Sequence, residues 1–483
     1  MSAPSTAAAT LGGMIPERVK RLVGLTTDLA ERFTQDGHSL YLVGGSVRDA
    51  IVADPAGSPS PKGDESTWSE GDIDLTTDAR PDVIEEIVGR WADSVWSQGK
   101  RFGTIGCLHR GVQYEITTHR AEAYHPDSRK PEVVFGDSVE VDLSRRDFTV
   151  NAMALRLPDL QLVDPYGGLA DLAAGRLRTP LDPEISFSDD PLRMLRAARF
   201  VAGHGLDPDP QLLEAISKLH DRIGIVSAER IRDELDKLMV VPVPSKGLWL
   251  LVDTGLAAEF LPELPGLALE QDPIHHHKDV LGHTLAVVDK TQPDRLLRLS
   301  ALLHDVGKPR TRAFGPEGVT FHHHEVVGAR MARNRLLALR YPKDDVETVT
   351  RLVELHLRFH TYRLGWTDRA VRRYVRDAGP LLDRLNELTR CDCTTRNANK
   401  AKALGRRMDE LEARIAELRT QEELDSMRPD LDGRQVMDHL GLAPGREVGA
   451  ALEFLLELRM DEGPLGEEEA TRRLDAWWAA QPK

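Results

Sequence analysis

The sequence predicts an α+β fold: a head of mixed strands and helices, then a long and mostly helical remainder. Three observations predict it. Short apolar runs and period-2 alternation are confined to residues 16–180. From residue 181 on, helical periodicity in Leu-, Ala-, Arg- and Glu-rich sequence takes over. At 483 residues the chain is also long for one hydrophobic core, so several domains are expected.

The head's elements follow in order. "SLYLV" is a short apolar strand that ends on Gly44-Gly45, and "SVRDAIV" continues as a helix. The Pro-, Gly- and Ser-rich stretch 53–71 reads as a loop. "DIDLTT" alternates polar and apolar, as a half-buried strand does. "PDVIEEIVGRWADSV" reads as a helix with Pro81 at its start. "GTIGCLHRGVQYEITTHR" reads as a hairpin turning near Arg110-Gly111. Further on, "DDPLRMLRAARFVAGHG" opens a helix on acids and closes on Gly203 and Gly205. In "KALGRRMDELEARIAELRTQ" the apolar stripe Leu404, Met408, Leu411, Ile415, Leu418 suits a helix packed within its own domain better than a coiled-coil dimer.

Composition narrows the function. Hydrophobic residues make up 41% and charged residues 29%, as in a soluble globular protein. No apolar run reaches the ~18–20 residues of a membrane span. Residues 1–15 read as a disordered tail rather than a signal peptide. Three cysteines (Cys107, Cys391, Cys393) make no disulfide framework and point to a reducing cytoplasm. A net charge of −15 argues against a protein that coats nucleic acid nonspecifically, but leaves room for an RNA enzyme with a local basic groove.

Two clusters carry chemistry. On a strand, residues two apart point the same way, so Asp72 and Asp74 share one face while Ile73 and Leu75 point to the core. Like charges that close repel unless a cation sits between them, and Mg²⁺ prefers carboxylate oxygen. Glu115, opposite in direction to Tyr114 and Ile116, offers a third carboxylate. Gly44 and Gly45 precede a helix start, where backbone N–H groups suit phosphate, and Arg48 adds a fork of donors. The blander alternative is a tight turn with an Arg48-Asp49 ion pair. "SRRDFTVNAMAL" adds Arg145 and Arg146 for a triphosphate and Asp147 and Asn151 for ribose hydroxyls, or else is a capped helix with a basic start.

Taken together, "LVGGSVRD", "GDIDLTT", "EITTHR", "SRRDFTVNAMAL", "VDPYGGLADLAAGRLRT", "DDPLRMLRAARF" and "SAERIRDEL" resemble the class II tRNA nucleotidyltransferase and bacterial poly(A) polymerase family, in that family's order. The resemblance implies a polymerase-β-like nucleotidyltransferase head in which Asp72 and Asp74 hold catalytic Mg²⁺ and Gly44, Gly45 and Arg48 meet the triphosphate. It also implies base reading by a Glu-Asp-x-x-Arg motif. Here that motif is Asp189-Asp190-Pro-Leu-Arg193, with Asp for the first Glu, and Asp190 and Arg193 are expected on one helical turn. The tail "LDGRQVMDHLGLAPGREVGAALEF" resembles the family's C-terminal segment, with Gly433, Pro444, Gly445 and Gly449 expected at turns.

The second cluster is rich in histidine. "DVLGHTLAVVD" and "LSALLHDVGKPRT" place His283, His304 and Asp305 in helical sequence, and "RCDCTT" adds Asp392. "HDVGK" resembles the HD phosphohydrolase superfamily. That resemblance implies a divalent-metal site on His283, His304, Asp305 and Asp392, with His324 and His356 behind the ligands and His275–His277 in a loop. Imidazole with carboxylate suits Mn, Ni, Zn or Mg alike.

The expected function is addition of CCA to tRNA 3′ ends from CTP and ATP, with no membrane or DNA partner. Addition of AMP to RNA by a poly(A) polymerase, and an HD phosphohydrolase with an RNA-binding head, are the alternatives. The expected domains are a tail (1–15), the nucleotidyltransferase head (16–180), a helical neck that reads the base and binds RNA (181–265), an HD domain (266–400) and a helical RNA-binding tail (401–483).

Overall fold

A computed structural model describes residues 17–52, 73–125, 128–269, 280–315, 318–361, 366–393, 398–422 and 428–481. Asp72, the 1–15 segment, the 53–71 loop and His275–His277 lie outside the described residues. The chain forms two compact units: one holds residues 1–238 and 246–260, the other 239–245 and 261–483.

The first unit is built on a seven-stranded sheet. Its strands are β1 (Leu40–Val43), β2 (Ile73–Thr77), β3 (Ser94–Trp96), β4 (Thr104–His109), β5 (Val112–Thr118), β8 (Ala154–Leu157) and β9 (Leu162–Val163), in the order β3-β4-β5-β2-β1-β8-β9. β6 (Arg120–His125) and β7 (Ser128–Phe135) form a separate antiparallel pair. The β2–β5 pairing is parallel and sets Asp74 opposite Glu115, Ile73 opposite Tyr114 and Leu75 opposite Ile116. Alternation then sorts the two faces. Ile73, Leu75, Tyr114 and Ile116 pack into a core with Phe33 of α1 (Glu17–Gln35), Val47 of α2 (Gly45–Val52) and Ile84 of α3 (Pro81–Gly89). Asp74 and Glu115 are left on the other face.

The hairpin turns as expected, with Arg110 and Gly111 both at positive φ. Helix α3 is shorter than its sequence suggested. It stops at Gly89, and Ser94 and Val95, expected to be helical, lie in β3 and pair with β4 instead. The helices that complete this unit are α4 (Val139–Ser144), α5 (Gly168–Ala173), α6 (Pro183–Asp189), α7 (Leu192–His204), α8 (Pro210–Leu219), α9 (Ala228–Met239), α10 (Pro244–Asp253) and α11 (Leu256–Phe260). One strand pair, β10 (Arg176–Leu177) with β11 (Asp207–Pro208), reaches past residue 181.

Among its described residues the second unit is helical apart from the hairpin β12 (Ala313–Gly315) and β13 (Gly318–Thr320). Its helices are α12 (Val280–Lys290), α13 (Arg295–Leu303), α14 (Lys308–Thr311), α15 (His324–Ala338), α16 (Lys343–Leu355), α17 (Arg358–Thr361), α18 (Asp368–Ala378), α19 (Leu382–Asp392), α20 (Ala398–Glu422), α21 (Gly433–Leu440), α22 (Arg446–Glu462) and α23 (Glu467–Ala479). On α20 the stripe residues Met408, Leu411, Ile415 and Leu418 are buried, and the helix packs on α18 and α19. A domain edge at residue 400 would therefore separate α20 from the helices it packs on. Helices α21–α23 close a small core of their own around Val436, Ala451, Leu455 and Leu474. Gly449, expected at a turn, lies inside α22. No helix among the described residues is long and apolar enough to cross a membrane.

Candidate active site and metal centre

In the head, Asp74 is exposed on β2 beside Glu115 on β5. The chain leaves β1 at Gly44, which takes φ +70°. A side chain there would be strained, and its Cβ would lie 3.1 Å from Arg146 Nη1 and 3.7 Å from Asp74 Oδ2. The missing Cβ thus leaves a space bounded by a carboxylate, a guanidinium and the start of α2. That chemistry fits a cation on the acid side and a phosphate on the basic side.

Several sequence-predicted residues meet here, with partners the sequence did not specify. Arg48 is buried, and its Nε donates to Asp49 Oδ1 at 2.7 Å. Its Nη1 donates to Asn151 Oδ1 at 2.7 Å. The ion pair of the blander alternative is therefore present, with the buried Arg48 also joined to Asn151. Asn151 Nδ2 donates to Asp147 Oδ1 at 3.0 Å, and Arg196 Nε donates to Asp147 Oδ2 at 2.9 Å. Arg145 pairs with the buried Asp142 at 2.7 Å, and Arg146 approaches the same carboxylate at 3.5 Å.

Asp190 caps the turn that carries Arg193 rather than lying inside it: its carbonyl accepts from the Arg193 amide at 3.0 Å and its Oδ1 from the Leu192 amide at 3.2 Å. Asp190 is extended (φ −136°, ψ 98°) and helix α7 begins at Leu192. The reason is local: Pro191 disfavours helical geometry at the residue before it. Asp190 pairs with Arg230 at 2.9 Å, while Arg193 Nη1 donates to Ser186 Oγ at 2.8 Å and Nη2 to the Arg145 carbonyl at 2.5 Å.

Asp147 offers a test of this network. Burial alone would raise its pKa, but Arg196, Asn151 and the Phe148 amide outweigh burial and bring it down to about 2. A carboxyl depressed in the folded state stabilises the fold above its unfolded pKa, and that contribution is lost as pH falls through the folded value. Between about pH 4 and pH 2 the stabilisation from Asp147, about 2 kcal/mol, should drain away. Melting curves across that range are expected to show a shallower acid slope for Asp147→Asn than for the wild type.

The second unit gathers the predicted His and Asp residues around Asp305. His283 Nε2 lies 2.9 Å from Asp392 Oδ1 and 3.6 Å from Asp305 Oδ2. His304 Nε2 lies 3.2 Å from Asp305 Oδ2 and 3.5 Å from Asp392 Oδ1. His324 Nε2 lies 3.4 Å from the other oxygen, Asp305 Oδ1. Two triads have metal-ligand spacing, His283-His304-Asp305 and Asp305-His324-His356, with all donor atoms of a triad within 4.8 Å of one another. Sequence placed His324 and His356 behind the ligands; the fold sets them directly against Asp305.

Orientation supports a cation here. His304, His324 and His356 bond through Nδ1 to the carbonyls of Ala301, Phe321 and Val353, three residues back, at 2.7, 2.7 and 2.6 Å. Such a bond requires the proton on Nδ1, so in the neutral ring Nε2 carries a lone pair. All three Nε2 atoms are buried and make no hydrogen bond among the described residues. With no cation between them, Asp305 and Asp392 outweigh burial and push the His304 pKa up to about 10, so a metal ion must displace a proton from its Nε2. Burial and the nearby His304 bring His356 down to about 3. Gly307, in the "HDVGK" run, has its own reason. A Cβ there would stand 2.1 Å from the His324 carbonyl oxygen and 2.7 Å from the Gly328 nitrogen. Only glycine lets the start of α15 approach Asp305 this closely.

Cys391 and Cys393 flank Asp392 but join neither triad. Burial pushes the Cys391 thiol up to about 11 and the Cys107 thiol up to about 12, so both are held neutral.

Comparison with known proteins finds matches for both units. Residues 40–178 match the poly A polymerase head domain, 205–267 the probable RNA and SrmB-binding site of polymerase A, and 274–418 the HD domain. An A-adding tRNA nucleotidyltransferase of Deinococcus radiodurans is 37% identical over 359 residues, 71% of this chain and 80% of that one. The chain belongs to the tRNA nucleotidyltransferase and poly(A) polymerase family. A CCA-adding relative from Geobacillus sp. is also 37% identical, but the match spans only 52% of its length and 47% of this chain. The structure of a Bacillus stearothermophilus CCA-adding enzyme in complex with CTP aligns over 96% of this chain and 98% of that one, with TM-score 0.67 and 25% identity. A Thermotoga maritima CCA-adding enzyme complexed with tRNA shares the fold, with TM-score 0.56 and 17% identity over 95% and 96% of the two chains.

Proposed function

We propose that the protein is a template-independent nucleotidyltransferase that adds C, C and A to the 3′ ends of tRNA, using CTP and ATP. The observation that carries this reading is Asp74, in register with Glu115 and facing the Gly44 space, in a chain that aligns with a CTP-bound CCA-adding enzyme along nearly its whole length. Asp72 and Asp74 would hold Mg²⁺, which supplies charge stabilisation for the attacking 3′ oxygen and the departing pyrophosphate. Arg146 and the Gly44–Gly45 turn receive the triphosphate, with Glu115 a further carboxylate beside the acid pair. Arg48, Asn151 and Asp147 shape the floor of that pocket. Asp190 and Arg193 read the base edge, with Arg193 keeping N–H groups beyond its two bonds. The reaction belongs in the cytoplasm, where its free thiols stay reduced.

A second reading, addition of the terminal A alone, is favoured by the long match to the Deinococcus A-adding enzyme. One assay separates the readings. With tRNA lacking CCA, CTP alone should extend by two residues, and CTP with ATP by three. Extension only of tRNA ending in CC, and only with ATP, would favour the second reading. Long A tails on other RNA would favour poly(A) synthesis and sink both.

For the second unit we propose a divalent-metal centre on His283, His304, Asp305, Asp392, His324 and His356, with Asp305 shared between two cation positions. Its chemistry suits hydrolysis of a phosphate ester.

A further inference from the structure

We propose that Arg196 is a positioning residue for nucleotide binding: through Asp147 and Asn151 it fixes Arg48, and so ties helix α7 to the triphosphate end of α2. This rests on the nucleotidyltransferase reading of the head.

The chain of contacts has only one workable polarity. Guanidinium groups only donate, a carboxylate only accepts, and a side-chain amide does both. Asp147 Oδ2 accepts from Arg196 Nε at 2.9 Å and Nη2 at 2.5 Å. Its Oδ1 accepts from the Phe148 amide at 2.8 Å and from Asn151 Nδ2 at 3.0 Å. With its NH₂ committed to that carboxylate, Asn151 must present its carbonyl oxygen the other way. There it accepts from Arg48 Nη1 at 2.7 Å. A rotated amide would set donor against donor at Arg48 and acceptor against acceptor at Asp147. The orientation of Asn151, and with it the lie of the Arg48 fork, is therefore imposed from the Asp147 side.

The side of the network away from Arg48 is anchored on α7. Arg193, one turn before Arg196, donates to the Arg145 carbonyl, so one helix face grips both Arg145 and Asp147. Phe200, one turn after Arg196, lies 5.3 Å from the Arg48 guanidinium. Arg196 is in turn braced by the buried Glu234 at 3.6 Å, which also holds Arg199 at 2.8 Å and Lys237 at 3.1 Å. Arg48, Asp147, Asn151 and Glu234 are all buried, so each lost partner leaves an uncompensated polar group. A helix that carries the base-reading Arg193 thus also sets Arg48 in the floor of the triphosphate pocket.

The test is equilibrium binding of CTP and of ATP to the full chain, alongside extension of tRNA. Arg196→Met strands two buried carboxylates and is the variant most exposed to misfolding, so Arg196→Lys, which keeps the charge and loses the fork, is the main variant. Arg196→Lys is expected to weaken CTP and ATP binding by the same factor, about tenfold, because the network leads to the phosphates and not to the base. Asn151→Ala should have a similar effect, and the double variant should be no worse than the stronger single one. Arg335→Met, which breaks the 2.8 Å pair with Glu263 in the second unit, is the control for a purely structural loss and should leave nucleotide affinity unchanged. Unchanged affinity in folded Arg196→Lys, or effects that multiply with Asn151→Ala, would overturn the inference. A wild-type protein that binds neither CTP nor ATP would instead overturn the reading beneath it, and the inference with it.

Discussion

Asp74→Asn is expected to slow nucleotide addition at least about a thousandfold under single-turnover conditions. The fold should not notice the change. Asp74 is exposed, and the β2 side chains that enter the core are its neighbours Ile73 and Leu75. The amide keeps the shape of the carboxylate but removes the charge that a divalent cation needs. The strands that carry Asp74 and Glu115 run side by side, ~4.8 Å apart, so Glu115 stays in place after the substitution. CTP binding should therefore fall far less than the rate, because the phosphate-facing Arg146 and Gly44 are untouched. The measurement is the rate of extension of tRNA lacking CCA, with a thermal melt in parallel. Extension at the wild-type rate by Asp74→Asn with Asp72→Asn would end the two-metal account of this head. A slow variant that also melts early would point to the fold instead.

What the sequence made legible was local. The β1–Gly44–α2 turn, the alternation of β2 and the Arg110-Gly111 hairpin each depend on residues within a few positions of one another. The Asp74–Glu115 pairing does not. It needs β2 and β5 in parallel register across the intervening helix and two strands, which spacing cannot reveal. The extended Asp190 was legible and missed: Pro191 stands next to it, and a residue before proline resists the helix. The early end of α3 was likewise signalled by Gly89, a poor helix residue, ahead of the β-branched Val95. Asp147 was expected to face ribose. Its oxygens instead serve Arg196, Asn151 and the Phe148 amide, and Arg196 lies in a helix whose approach no local pattern announces. His324 and His356 were expected behind the ligands, and their approach to Asp305 itself was hidden for the same reason. Their sequence neighbours say only that each sits at a helix end. Their approach to Asp305 depends on how α13, α15 and α16 pack, and on Gly307 letting α15 come close.

That packing makes Asp305 the residue whose loss should cost the second unit most. Its Oδ2 faces His283 and His304, and its Oδ1 faces His324. A carboxylate divided in this way serves both cation positions at once, whereas His356 belongs to one triad only. Metal content should therefore separate two substitutions. After dialysis against Mn²⁺ or Zn²⁺, the wild type is expected to retain two ions in this unit, His356→Ala about one, and Asp305→Asn neither, with affinity reduced at least about a hundredfold. Direct metal counting reads this without assuming any substrate. It should be done with Asp74→Asn as the background, so that ions held by the head do not enter the count. Extension of tRNA by the Asp305→Asn protein, made in the otherwise wild-type chain, should persist, since Asp305 and Asp74 lie in separate units. If Asp305→Asn still retains two ions, or if His356→Ala empties the unit as completely as Asp305→Asn does, the shared-carboxylate arrangement is wrong. The six side chains would then form a single site, with His356 as necessary to it as Asp305.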